Sequence, residues 1–256
     1  MAEWIFFDIG NVILNDDPAM AQLYRYIYQL FQENKLTVPY EDMLAFRETN
    51  ILKNRNGRHH YSVAVKYLGE DIVKKKFKGI LKRLAGEWEQ VSPVISGIHE
   101  VIEDAAQHFK LGLIANQPNE VIPILEKEGV LKYFDVNAIS AIAGFSKPDL
   151  RIFKYACEAA QCQPHQAVMI GDRIDNDIIP ANVLGMTTIW LRIPMEEKGY
   201  QPKDSFETMY LDSIRRASAS HLQPQQEAEQ PHFVANNLQE LTNALHKIRI
   251  SGHGTK

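Results

Sequence analysis

The chain has 256 residues, 45% hydrophobic and 23% charged, with a formal net charge of −4. That composition is globular, and so small a negative balance suggests neither a nucleic-acid binder nor an acidic tail protein. No leader-like run opens the chain, no window approaches the ~18 uninterrupted apolar residues of a membrane span, and the only two cysteines, Cys157 and Cys162, fit two reduced thiols; a cytoplasmic protein is expected.

The first element is a short apolar run from Trp4, read as a buried strand that carries Asp8 at its carboxyl end and is followed closely by Gly10. Asp17-Pro18 then reads as an N-cap with proline at the first helical position. Met20, Leu23, Tyr24, Ile27, Leu30 and Phe31 recur at helical spacing. Further helices are expected over Tyr40 to Leu52 and Asp71 to Leu84, with Asn54 to His60 as a polar turn around Gly57. No strand pattern appears from Asn15 to about Gln90, so this all-helical block reads as an insertion.

From Val94 the rhythm changes to alternating helices and strands. Strands are expected at Lys110 to Asn116, Val136 to Ile139, Ala167 to Ile170 and Thr187 to Trp190. Helices are expected at Ile98 to His108, Asn119 to Glu128, Leu150 to Ala160 and Asn176 to Leu184. That alternation predicts an α/β domain, a Rossmann-like parallel sheet with helices on both faces. Met195 to Pro231 breaks it, being rich in Gln, Ser, Glu and Lys; one peripheral helix, Phe206 to Ala217, is expected there, then a mobile stretch. Phe233 to Ala235 reads as an edge strand, Leu238 to Ile248 as a closing helix, and Ser251 to Lys256 as a frayed end.

Asp8, Asn116 and Asp172 each fall at or just after a strand's carboxyl end, the edge where open α/β sheets bind ligands. Gly171-Asp172-Arg173-Ile174-Asp175-Asn176-Asp177 gathers three carboxylates within six residues, a hard oxygen set suited to Mg²⁺. Ser146-Lys147-Pro148-Asp149 adds a lysine held extended by the following proline, beside an Asp able to cap the next helix.

Phe7-Asp8-Ile9-Gly10-Asn11-Val12, Leu113 to Asn116, Ser146 to Asp149 and Gly171 to Asp177 resemble, in order and spacing, the four motifs of the haloacid dehalogenase superfamily. Asn15 to about Gln90 resembles the helical cap inserted after that superfamily's first motif. The resemblance implies a discontinuous core, residues 1–14 and 91–250 with 195–231 as a peripheral insertion, and a cap over residues 15–90. It further implies Mg²⁺-dependent hydrolysis of a small anionic phosphorylated metabolite through an aspartyl-phosphate on Asp8. In that scheme Asp8, the Gly10 carbonyl and Asp172 hold Mg²⁺, and Asp177 orders a bound water. Lys147 offsets charge at the phosphoryl group, and Asn116 donates to a phosphoryl oxygen.

Two positions depart from the family pattern. Gly10 stands where an acid/base Asp is usual, and Ala115 where Thr or Ser is usual. They keep open a second reading, a weakly active or inactive binding or regulatory protein. A third, metal-free carbon–halogen hydrolysis, gives no reason to gather Asp172, Asp175 and Asp177 beside Asp8. Asp16, Asp17, His59 and His60 are the side chains available as substitute acid/bases. Arg47 to Arg83 carries eleven Lys/Arg against three Asp/Glu; most of these cations are expected to coat the wet face of one helix. Arg55, Arg58 and His59, in the glycine turn, are expected to meet substrate. No nucleic-acid or membrane partner is expected, and the protein reads as a monomer or homodimer.

Overall fold

Six short apolar runs form one all-parallel sheet in the computed structural model, which describes residues 2–55 and 58–251. Gly57 and the tail read as frayed, from residue 252 on, lie outside the described residues. The strands are β1 (Trp4–Phe7), β2 (Lys110–Ala115), β3 (Phe134–Ile139), β4 (Ala167–Gly171), β5 (Thr187–Leu191) and β6 (Phe233–Ala235), in the order β3-β2-β1-β4-β5-β6. The order reverses between β1 and β4, so the carboxyl ends of these two strands flank the crevice where such sheets hold ligands.

All four residues of β1 are buried, as a central strand covered on both faces requires. Trp4 and Phe6 join Ile152, Phe153, Ala156 and Met169 in one apolar layer. The helices Leu150–Ala159 and Ile179–Leu184 pack on one another and on the sheet, and so do Ile98–Ala106 and Leu238–Ser251. Gly112 in β2 makes the first layer possible: a Cβ there would stand 2.5 Å from the Phe6 ring.

The chain divides into two compact units. One contains the sheet and comprises residues 1–15, 93–200 and 223–256; the other comprises residues 16–92 and 201–222. The second is all-helical, built from Asp17–Glu33, Tyr40–Lys53, His59–Leu68, Glu70–Gly86, the short Trp88–Val91 and Ser205–Arg216. Its last helix corrects the sequence reading, which left all of 195–231 as an insertion at the periphery of the core. Residues 201–222 instead complete the helical unit. Arg47 is buried between the Tyr24 and Tyr210 rings, 5.7 and 5.1 Å from their centroids. It donates to Ser213 Oγ at 3.1 Å and to the Ala217 carbonyl at 2.9 Å. Arg25 pairs with Asp204 at 2.6 Å and Arg216 with Glu48 at 2.8 Å.

Three local expectations also change. Helix Asp17–Glu33 starts at Asp17, which is buried, so the cap position falls on Asp16. The glycine turn is shorter than expected because His59–Leu68 is a helix. The expected helix from Asn176 is a wide π-type turn, Ile174–Ile178, before Ile179–Leu184 begins.

Candidate active site

The core unit brings Asp8, Lys147, Asp172 and Asp177 into one buried group. Asp8 follows β1, and its backbone N–H continues the ladder to the Ile170 carbonyl at 2.8 Å, which sets it beside the end of β4. Its Oδ1 accepts from the Ile9 N–H at 2.7 Å and from Lys147 Nζ at 2.8 Å.

Asp177 reaches the same place by a different route. In the wide turn, Ile178 N–H reaches five residues back to the Arg173 carbonyl while Asp177 N–H bonds the same oxygen at 3.0 Å. This widening, a form of helix often found at functional sites, turns the Asp177 side chain back over β4. Gly171 makes room for it, since a Cβ at that position would lie 2.3 Å from Asp177 Cβ. Asp177 Oδ1 accepts from Lys147 Nζ at 2.6 Å and Oδ2 from the Arg173 N–H at 3.0 Å. Asp172 is held by its backbone: its carbonyl accepts from the Trp190 indole N–H at 2.8 Å. The indole is a partner that the sequence reading missed, though a tryptophan ending the strand next to β4 is a legible cue.

Lys147 bridges Asp8 and Asp177 with its side chain almost fully enclosed. Burial disfavours its ammonium, but Asp177 and Asp8 outweigh that cost and hold its pKa above the ordinary lysine value. Burial pushes the Asp8 carboxyl up to about 8; Lys147 opposes the rise, while Asp177 and Asp172 add to it. Asp8, Asp172 and Asp177 each place a carboxylate oxygen within 4.8 Å of the others. Three hard anionic donors this close, with one lysine among them, fit a divalent cation of the Mg²⁺ kind.

Asn116 stands at the end of β2, and both ends of its side-chain amide meet the Lys147 backbone. Its Nδ2 donates to the Lys147 carbonyl at 2.9 Å and its Oδ1 accepts from the Lys147 N–H at 2.8 Å. The amide clasps the lysine backbone at both ends, as a neighbouring strand would. Asp175, counted in the sequence with the metal carboxylates, pairs with Arg173, whose Nε donates to Asp175 Oδ1 at 2.9 Å. Asp149 caps helix Leu150–Ala159 by accepting from the Arg151 N–H.

Arg58 and His59 belong to the helical unit. Arg58 is exposed just before helix His59–Leu68. His59 is buried, with Nδ1 3.1 Å from Asn50 Nδ2, so it lies inside that unit rather than on an open turn. Lys74, Lys75, Lys76, Lys78, Lys82 and Arg83 are exposed along Glu70–Gly86, the wet face expected of them.

The family model of the haloacid dehalogenase-like hydrolases matches residues 2–185. The chain belongs to that family, and it is a hydrolase. Among curated proteins it is 25% identical over 224 residues to a glyceraldehyde 3-phosphate phosphatase of Methanothermobacter thermautotrophicus, covering 84% of this chain and 97% of that one. It is 24% identical over 228 residues to the pyrimidine 5'-nucleotidase YjjG of Escherichia coli, covering 83% and 94%. Among solved structures, YfnB of Bacillus subtilis, crystallised bound to magnesium, superposes with a TM-score of 0.60 at 18% identity over 95% of this chain and 98% of that one.

Proposed function

We propose that the core unit is a Mg²⁺-dependent phosphohydrolase that cleaves small phosphate monoesters through an aspartyl-phosphate on Asp8. The observation that carries this reading is the buried set of Asp8, Asp172 and Asp177 around Lys147. The names of the two curated relatives, a phosphatase and a nucleotidase, support a phosphate ester as substrate.

Asp8, the Gly10 carbonyl and Asp172 would hold the metal, and Asp177 would order a bound water. When bound, the ion draws charge from the phosphoryl oxygens. Ile9 N–H and Lys147 fix Asp8 Oδ1, which leaves Oδ2 as the oxygen that attacks phosphorus. The P–O bond to the leaving group breaks as the Oδ2–P bond forms. Lys147 offsets the negative charge that gathers between carboxylate and phosphoryl group. Water then cleaves the acyl phosphate and restores Asp8. Gly10 has no side chain to protonate the leaving oxygen, the step that an Asp at this position would assist. Aryl phosphates, whose leaving groups need no proton, should therefore turn over faster in assay than alkyl ones.

Hydrolysis of aryl and alkyl phosphates, each with Mg²⁺ and with chelator, tests this. Metal-dependent turnover that drops to background in Asp8→Asn is the expected result, and Gly10→Asp should raise alkyl relative to aryl turnover. A second reading, a binding protein with little turnover, has Gly10 and Ala115 in its favour. Silence on every ester, with activity only in Gly10→Asp, would establish it instead. Activity on a haloacid in chelator would sink the phosphatase reading.

A further inference from the structure

Lys198 is the one residue among Glu196 to Gly199 that is buried; Glu196, Glu197 and Gly199 around it are exposed. The order is the reverse of what side-chain chemistry favours, because an ammonium is costly to bury unless something holds it. Lys198 ends the helical turn Met195–Lys198, closed behind by Gly199 at φ 72°. Its Nζ donates to Asn11 Oδ1 at 2.8 Å.

Asn11 lies in the loop that carries Asp8 and Gly10. That loop is wound on one oxygen: the N–H groups of Val12, Ile13 and Leu14 all reach the Ile9 carbonyl, at 3.3, 2.8 and 2.9 Å. Asn11 itself is left-handed, with φ 55°, a conformation Asn tolerates better than most side chains. Its N–H turns into the loop and bonds the Leu14 carbonyl at 2.6 Å. The Gly10–Asn11 peptide is trans, so the Gly10 carbonyl points the opposite way, out of the turn. Rotating that carbonyl swings the Asn11 N–H off the Leu14 carbonyl and changes φ at Asn11, whose side chain is tethered to Lys198.

We propose that Lys198 is a positioning residue for metal binding: by holding Asn11 it fixes the Gly10–Asn11 peptide and so aims the Gly10 carbonyl. This rests on the reading above, in which that carbonyl is a Mg²⁺ ligand. It also gives the segment after β5, outside the alternating α/β pattern, a specific task at the end of β1.

Mg²⁺ titration calorimetry on the full chain tests it, with no turnover needed. Lys198→Met keeps an unbranched apolar stem and removes the ammonium. Asn11→Gly keeps the left-handed backbone at ease and removes the amide. Each should weaken Mg²⁺ binding by about 10–100-fold, the range seen when a partner behind a metal ligand is lost. The double variant should bind no more weakly than the worse single one, because both changes break the same bond. Mg²⁺ affinity within about twofold of wild type in either folded variant, or losses that multiply in the double variant, would overturn the proposal. Should Lys198→Met fail to fold, Asn11→Gly decides the question alone. Wild type that binds no Mg²⁺ removes the metal reading and this inference with it; wild type and variants binding alike remove this inference only.

Discussion

Asn116 shows how a residue can occupy the expected place and hold an unexpected partner. Both atoms of its amide are bonded to the Lys147 backbone, so we propose that it sets where the lysine stands. Asn116→Ala leaves the Lys147 N–H and carbonyl without that clasp and lets Nζ drift from Asp8. A misplacement of ~1 Å at a charged group costs up to about 10²-fold in rate, so kcat should fall ten- to a hundredfold while KM moves little. A rise in KM at unchanged kcat would show that Asn116 binds substrate instead. Asp8 supports a second prediction. Its carboxyl rises from 3.8 to about 8 in the folded protein, so the folded state binds more protons than the unfolded one across that window. Stability of the metal-free protein should therefore fall as pH rises from about 4 to about 8. Mg²⁺ takes the deprotonated carboxylate, so its stabilisation should grow over the same range. Denaturation midpoints in chelator from pH 5 to 8 measure this, and the slope should flatten in Asp8→Asn. Equal slopes in the two proteins would sink it.

At the scale of elements, what was legible in the sequence was whatever depends on periodicity and strand ends. The strands lie where apolar runs ended in Asp8, Asn116, Gly171 or a turn, most plainly β1 and β4, every residue of which is buried as a doubly covered parallel strand requires. The wide turn Ile174–Ile178 was not legible. Its residues have ordinary helical character, and its shape comes from Asp177 reaching Lys147 across thirty positions of chain. Gly171 read as a strand end, whereas its absent Cβ is the space that Asp177 fills. Gly171→Ala should thus push Asp177 off Lys147 and break a buried charge pair. Loss of a partner from such a pair costs about 3–5 kcal/mol, and the displaced carboxylate should weaken Mg²⁺ binding as well. Gly185→Ala supplies the comparison, since nothing stands within 4 Å of a Cβ there although its φ of 80° adds strain. Retained Mg²⁺ affinity in Gly171→Ala, with stability no lower than in Gly185→Ala, would contradict this account of the turn.

For the whole molecule, the chain's route is what the sequence conceals most. Residues 201–222 fall between core strands β5 and β6, yet cluster with helices formed more than a hundred residues earlier. Composition placed that segment at the periphery because it is polar, and its anchors are few. The anchors are specific, however: Tyr210, Leu211 and Ile214 are buried, and Arg47 sits under the helix with bonds to Ser213 and Ala217. An arginine ringed by tyrosines contributes through stacking as well as hydrogen bonding, which no single-residue reading of Arg47 reveals. Arg47→Met keeps much of the stem but strands the Ala217 carbonyl inside the helical unit. A buried polar group left without its donor costs about 1–3 kcal/mol, enough to loosen Ser205–Arg216 before the rest of that unit. Hydrogen exchange should then quicken across 205–216 while Ile98–Ala106 in the core unit keeps its protection. Exchange that quickens equally in both, or in neither, would mean that Arg47 is not what returns this helix to the helical unit.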